Sequence, residues 1–118
     1  MSAALTVADV LSKAADLIEP EGAWTRHAMA RAADGSQRGA RASDAVCFCV
    51  GGAIIRAANG AAYAADAVGV FRKTLPEGNV VDFNDYRDRT QAEVVAKLRE
   101  AAAMAAALAR TQPERHPS

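Results

Sequence analysis

Aromatic side chains are scarce in this chain: one tryptophan, two tyrosines and three phenylalanines among 118 residues. Alanine, with 30 residues, equals all the larger apolar types together. The core is therefore expected to be thin. Alanine buries little surface but is the best helix former, so stability must come from closely approaching helices with a few large side chains between them. The candidate anchors are Leu11, Ile18, Trp24, Phe48, Ile54, Phe71, Leu98 and Leu108. A GC-rich coding sequence, which enriches Ala, Arg and Gly without functional cause, is the default explanation of the composition.

An excess of charge of either sign is also missing. Fourteen Lys and Arg balance fourteen Asp and Glu, and the pI is near 6.7. This removes the usual electrostatic footprint of a nucleic-acid binder, so no strong polyanionic partner is implied. The charges are uneven, however: Arg26, Arg31, Arg38 and Arg41 face only Asp34 within 23–42, while Lys13 stands against Asp9, Asp16, Glu19 and Glu21 within 1–22. No charge-free apolar run reaches the length of a membrane span, and the start lacks the basic and apolar regions of a signal peptide. A cytoplasmic protein without a membrane partner is expected.

The chain is expected to form one helical domain over 1–110 and a disordered tail over 111–118. Thr6 and Asp9 make a capping box for a helix reaching Ile18, with Val7, Val10, Leu11, Ala14 and Ile18 at helical spacing. Pro20 and Gly22 end it, and Trp24 is expected to fold back onto the helix end. The stretch from Ser43 to Gly60 is apolar on every side. It predicts a central helix over 43–59, capped by Ser43 and closed by Asn59-Gly60, around which the rest packs. In such a helix Cys47 and Cys49 point in different directions and serve as buried, reduced thiols. Gly51 and Gly52 would each cost about 1 kcal/mol relative to alanine, which close approach of a neighbouring helix would offset.

Between Trp24 and Ala42, alternation and the Asp34-Gly35 dipeptide favour a β-hairpin over a short helix from His27 to Ala33 with a following loop. Ala61 to Lys73 reads as a helix, and 80–83 as a short edge strand or an extended entry to the next element. Thr90 and Glu93 make a second capping box, opening a last helix with the inner stripe Val94, Val95, Leu98, Ala102, Ala105 and Leu108 and a Glu93–Lys97 surface pair. The fold class is thus mainly α: a single-domain bundle of about four helices with a small β element at one edge.

Residues with distinctive chemistry are few. Cys47 and Cys49, with His27 and His116, fall short of the two separated ligand pairs that structural zinc takes, so no metal or cofactor is implied. A nucleophile needs a base within reach. Cys47 with His27 is the one candidate pair, and inert buried thiols are favoured over it, so no catalytic set is assigned. The polar run Asn84 to Thr90 is read first as turn and cap chemistry, with Arg89 paired to Asp85 or Asp88. Its functional reading places Asp85 and Arg89 at a cleft bounded by Trp24, with the N–H groups after Thr90 open to an anion. The candidate binding residues are therefore Trp24, Arg26, His27, Asn84, Asp85 and Arg89. Thr6, Ser43, Cys47, Cys49, Gly51, Gly52 and Thr90 are assigned to structure.

Several short boxes follow one another in order: Ala15 to Ile18 (Ala-Asp-Leu-Ile), Trp24-Thr25, Ala30 to Gly35 (Ala-Arg-Ala-Ala-Asp-Gly), Ala45 to Cys49 (Ala-Val-Cys-Phe-Cys) with Gly52-Ala53-Ile54, Phe83-Asn84-Asp85, and Arg89-Thr90 with Ala92-Glu93-Val94. In this order, over 7–102, the chain resembles a family of small bacterial and phage proteins that is a domain of unknown function. It departs from the pattern at Phe83, where tryptophan is usual, and at Val50-Gly51, where Leu or Ala-Leu is commoner. The resemblance implies no activity and lends no catalytic residue. The favoured expectation is a small non-enzymatic binding or accessory protein, of phage or mobile-element origin, acting through contact with a protein partner. The alternative is a small-ligand binder or enzyme with a cleft near Trp24, His27, Asp85 and Arg89. Nucleic-acid contact through Arg26 to Arg41 is the weaker one.

Overall fold

A computed structural model of the chain describes residues 6–59 and 63–110. Gly60, the first residues of the helix expected from Ala61, and the expected tail over 111–118 lie outside them. Helix α1 (Val7–Ile18) starts as the sequence predicts: the Asp9 N–H donates to the Thr6 hydroxyl and the Thr6 N–H to the Asp9 carboxylate. Val10, Leu11, Ala14, Ala15 and Ile18 are fully buried. They face α5 (Gln91–Arg110), α2 (Val50–Ala58) and α3 (Tyr63–Lys73), the small alanines letting the helices approach. The far end of α1 is closed by a distant residue. Gln91 Nε2 donates to the carbonyl of Ile18 at 2.5 Å, which the helix itself leaves free, and to that of Pro20 at 2.6 Å in the turn beyond.

The hairpin expected within 24–42 is present. Strands β1 (Ala30–Ala32) and β2 (Gln37–Arg38) pair antiparallel, with Ala30 opposite Arg38. The turn between them is local chemistry: Asp34 accepts from the Ser36 N–H and hydroxyl, and Gly35 takes φ +88°, a conformation that favours glycine. A third strand, β3 (Ala45–Phe48), joins the other side of β1, giving the order β2-β1-β3. Cys47 lies opposite Arg31 and Ala45 opposite Ala32, so Val46 is an extra residue of the kind a bulge inserts.

Strand β3 corrects the expected central helix. Residues 43–59 are split at Cys49: Ser43 sits in an exposed turn, 45–48 are extended, and only α2 is helical. The cap is Cys49, whose Sγ accepts the Gly52 N–H at 3.2 Å. An apolar run without periodicity suits a buried strand as well as a buried helix, and Val46-Cys47-Phe48 is strand-prone; the open side of β1 decides the outcome. Cys47 and Cys49 therefore share one face of an extended segment, with Phe48 buried on the other, instead of diverging about a helix axis. Both thiols are free and half-buried. The end at Asn59 is as expected, with φ 52°.

Gly52 is required by close approach, but the neighbour is the main chain just before β1 rather than a helix. A Cβ there would lie 2.9 Å from the Met29 carbonyl carbon. Gly51 has no such constraint, its nearest neighbour being Cys49 Sγ at 3.9 Å.

Residues 80–83, expected to be extended, belong to helix α4 (Val80–Asp85). Asn79 caps it by accepting the Asp82 N–H at 2.9 Å, and this local bond outweighs the strand preference of two valines. Helix α5 opens with the expected Thr90–Glu93 box and buries Val94, Leu98, Ala102 and Ala105. Leu108 is 39% exposed and is no core anchor. Glu93, held by the box, takes Arg89 as its ion-pair partner, and Lys97 pairs with Glu100 instead of Glu93. The described residues thus make five helices and a small three-stranded sheet. Among them no helix is long and apolar enough to cross a membrane.

Candidate functional site

Asn84 is the only buried polar residue among those described, 2% exposed, and every capacity of its amide is used. Its Oδ1 accepts from the Trp24 indole N–H at 2.8 Å and from the Val50 N–H at 3.0 Å. Its Nδ2 donates to the Thr25 carbonyl at 3.1 Å and to Asp85 Oδ1 at 2.9 Å. Two donors and two lone pairs are thereby satisfied. The amide ties α4 to the first turn of α2 and to the segment entering the hairpin. That segment also runs parallel to β3, the Phe48 N–H donating to the Ala23 carbonyl and the Thr25 N–H to the Phe48 carbonyl.

Asp85, beside Asn84, faces His27. The carboxylate accepts the His27 backbone N–H at 3.1 Å, and its other oxygen lies 3.3 Å from His27 Nδ1. The Asp85 side chain is 23% exposed and the imidazole 69%. His27 has φ 66°, a left-handed conformation that non-glycine residues rarely take. One carboxylate thus bonds the main chain of this residue and lies beside its ring.

The two border an open pocket of about 460 Å³, whose walls include Met29, Cys49, Val80 and Val81. Depressions of similar volume occur elsewhere. This one brings together polar groups from three segments far apart in sequence. Cys49 contributes its thiol at the start of α2. Burial pushes that thiol above its ordinary pKa, the Gly52 and Gly51 N–H groups act against this, and the negative Asp85 adds to the rise. The thiol is thus kept in its neutral form. Among the described residues, no three His, Cys, Asp or Glu side chains are placed to hold a metal ion.

Of the six candidate binding residues, His27, Asn84 and Asp85 meet at this pocket. Trp24 does not bound it; its indole holds Asn84 from behind. Arg89 is directed elsewhere, its guanidinium 3.9 Å from the Phe83 ring centroid and its Nε bonded to the Phe83 carbonyl. The expected Arg89–Asp85 or Arg89–Asp88 pairing is replaced by Glu93, because the helix turn of α4 carries Asp85 towards His27. Arg26 stacks on Trp24 at 4.8 Å and donates to the carbonyls of Arg87 and Arg89, fastening the turn before α5. Arg31 and Arg38 are also bonded within the fold, to the Gly35 carbonyl and Asp44 among others. Of the N–H groups after Thr90, that of Glu93 is taken by the Thr90 hydroxyl in the capping box.

The sequence reading missed Met29, Val80 and Val81 as walls and placed Cys49 in the core. The strand-like alternation of Cys47, Phe48 and Cys49 is the signal that points the second thiol outward.

The model of DUF6197, a family of unknown function, matches residues 2–104. No curated protein and no solved structure matches the chain.

Proposed function

For a chain that belongs to DUF6197, a family of unknown function, we propose a role in binding a small ligand, with the His27–Asp85 pocket as its site. The observation that carries this reading is His27 itself. A left-handed non-glycine residue costs on the order of 1–2 kcal/mol, and such strain clusters where a side chain must be presented in one place. Here the same carboxylate bonds the backbone N–H of His27 and lies beside its ring at a pocket edge. In the proposed complex Asp85 takes the side of the ring that carries Nδ1, and Nε2 is the atom that accepts from the ligand. The walls beyond it are apolar, from Met29, Val80 and Val81. The ligand is therefore a compact molecule with an apolar body and a hydroxyl or amino donor. The pocket, at about 460 Å³, falls in the usual range for such molecules.

A fragment screen by protein-observed NMR tests the proposal. Binding fragments shift the Met29, Val80 and Val81 methyl signals and the His27 ring together, and His27→Gly weakens them at least tenfold. Fragments that bind elsewhere, or bind the variant equally well, would overturn it.

Contact with a protein partner is a second reading, favoured by Met29 and Val81, which are 41% and 66% exposed beside the pocket. In that case Val81→Asp abolishes co-purification of a defined partner and leaves fragment binding intact.

A further inference from the structure

The pocket wall holds two sulfur atoms in direct contact, the Cys49 S–H donating to Met29 Sδ, a contact that neither the capping of α2 nor ligand binding requires. Met29 precedes β1 and Cys49 follows β3, and the Cys49 N–H donates to the Met29 carbonyl at 3.1 Å, extending the antiparallel ladder by one step. This register sets their side chains against each other, with Cys49 Sγ 3.9 Å from Met29 Sδ. Met29 is 41% exposed and Cys49 half-buried, so an ion can reach both from the pocket.

We infer that Cys49 and Met29 form a binding site for one soft monovalent cation of the Cu(I) or Ag(I) class. Taking the zinc–thiolate length of about 2.3 Å as the scale of a metal–sulfur bond, two such bonds at a trigonal angle of about 120° span about 4.0 Å, near the 3.9 Å between these atoms. Little movement is needed for both to ligate. Thiolate and thioether ligands select soft ions. Zinc, by contrast, wants three or four nitrogen, sulfur or carboxylate ligands, and no group of three His, Cys, Asp or Glu is so placed among the described residues. Binding displaces the Cys49 S–H proton to solvent as the sulfur–metal bond forms, and the Met29 thioether donates a lone pair without further change. No electron is transferred. The third position faces the pocket and is open to an exogenous donor. The inference rests on the two sulfurs and not on the pocket's ligand, so either can fail without the other.

Silver(I), which needs no reductant, is the probe. The chain has three methionines, and with methyl-labelled methionine one equivalent of Ag(I) is expected to move the Met29 signal alone. Cys49→Ser removes that shift and weakens binding at least a hundredfold. Serine is a better helix cap than most residues, so the fold is kept. Met29→Leu, close in volume and on an exposed side chain, weakens binding about tenfold; Cys47→Ser changes it less than twofold. The inference is overturned if the Met29 methyl stays unmoved at one equivalent, if Met29→Leu binds as tightly as wild type, or if Cys47→Ser loses as much as Cys49→Ser. Equally tight retention of Zn²⁺ would overturn the assignment to soft ions.

Discussion

The indole N–H of Trp24 donates to Oδ1 of Asn84 across 2.8 Å, joining residues sixty positions apart. The same oxygen accepts the first N–H of α2 at Val50, so one buried amide sets where the hairpin entry, α2 and α4 meet. The pocket lies on the far side of this junction. Its polar edge depends on the position of Asp85, the next residue along.

Asn84→Ala is expected to destabilise the fold by roughly 2–4 kcal/mol, because the Trp24 and Val50 N–H groups and the Thr25 carbonyl all lose their partner. Urea unfolding followed by the fluorescence of Trp24, the single tryptophan, measures it. Asn84→Asp keeps the acceptor but loses both donors and sets a carboxylate against Asp85, so its loss should be no smaller. A change under about 0.5 kcal/mol in both variants, the ordinary range for surface sites, would mean that the junction is not the anchor described.

The two adjacent glycines should separate cleanly. Gly52→Ala drives a methyl into the Met29 backbone, which has no flexible end to move aside, and is expected to cost about 1–3 kcal/mol or more. Gly51→Ala meets nothing closer than Cys49 Sγ at 3.9 Å and gains up to about 1 kcal/mol from helix propensity. Thermal melts of the two variants side by side decide the matter.

His27→Gly separates strain from function. Glycine accepts the positive φ of 66° and keeps the main-chain bond to Asp85, so stability should hold or rise by about 1 kcal/mol. His27→Ala keeps the strain, loses the ring, and should be the less stable of the two. Both weaken fragment binding at the pocket at least tenfold, and a melt paired with an NMR titration reads the two effects separately.

Acid should weaken the fold through its capping boxes. The Thr6 N–H and hydroxyl hold the Asp9 carboxyl below its ordinary pKa, and the Thr90 N–H does the same for Glu93. A carboxyl whose folded value is depressed contributes stability above its unfolded pKa of about 4 and loses it as pH falls through the folded value. The melting temperature should therefore decline from about pH 5 downward, and the double variant Asp9→Asn, Glu93→Gln, which has no carboxyl to titrate at either box, should flatten that decline.

Alkylation of Cys49 should be slower than that of the same residue in the unfolded chain, with its rate rising only at higher pH, because burial holds the thiol in its neutral form. Mass-spectrometric mapping after iodoacetamide treatment across a pH series checks this. A Cys49 that reacts faster folded than unfolded would reverse the assignment.

The features legible in the chain are those closed within a few residues. Thr6 with Asp9, Asp34 with Ser36, and Thr90 with Glu93 each make their hydrogen bonds across two or three positions, so sequence spacing alone places them. Asn59 at the end of α2 and the stripe of α5 follow the same logic. His27, Asn84 and Asp85 stood out as polar candidates for the same reason that they matter, being scarce chemistry in an alanine-rich chain. A shared cleft for His27 and Asp85 was one of the expectations, but their direct contact was not legible, since they lie fifty-eight positions apart.

The amino-acid order by itself determined a mainly helical, alanine-built domain, its capping boxes, its hairpin turn and the shortlist of polar residues. Periodicity and cap spacing are local properties, and they survive any arrangement of the rest. Tertiary structure decided that Ala45–Phe48 is a strand, that Cys49 rather than Ser43 starts α2, and that Asp85 turns to His27 while Arg89 turns away. An apolar run can bury itself as helix or strand with similar gain in burial. The choice fell to the open edge of β1, and to a buried amide that must find three partners from two distant segments as well as its neighbour Asp85.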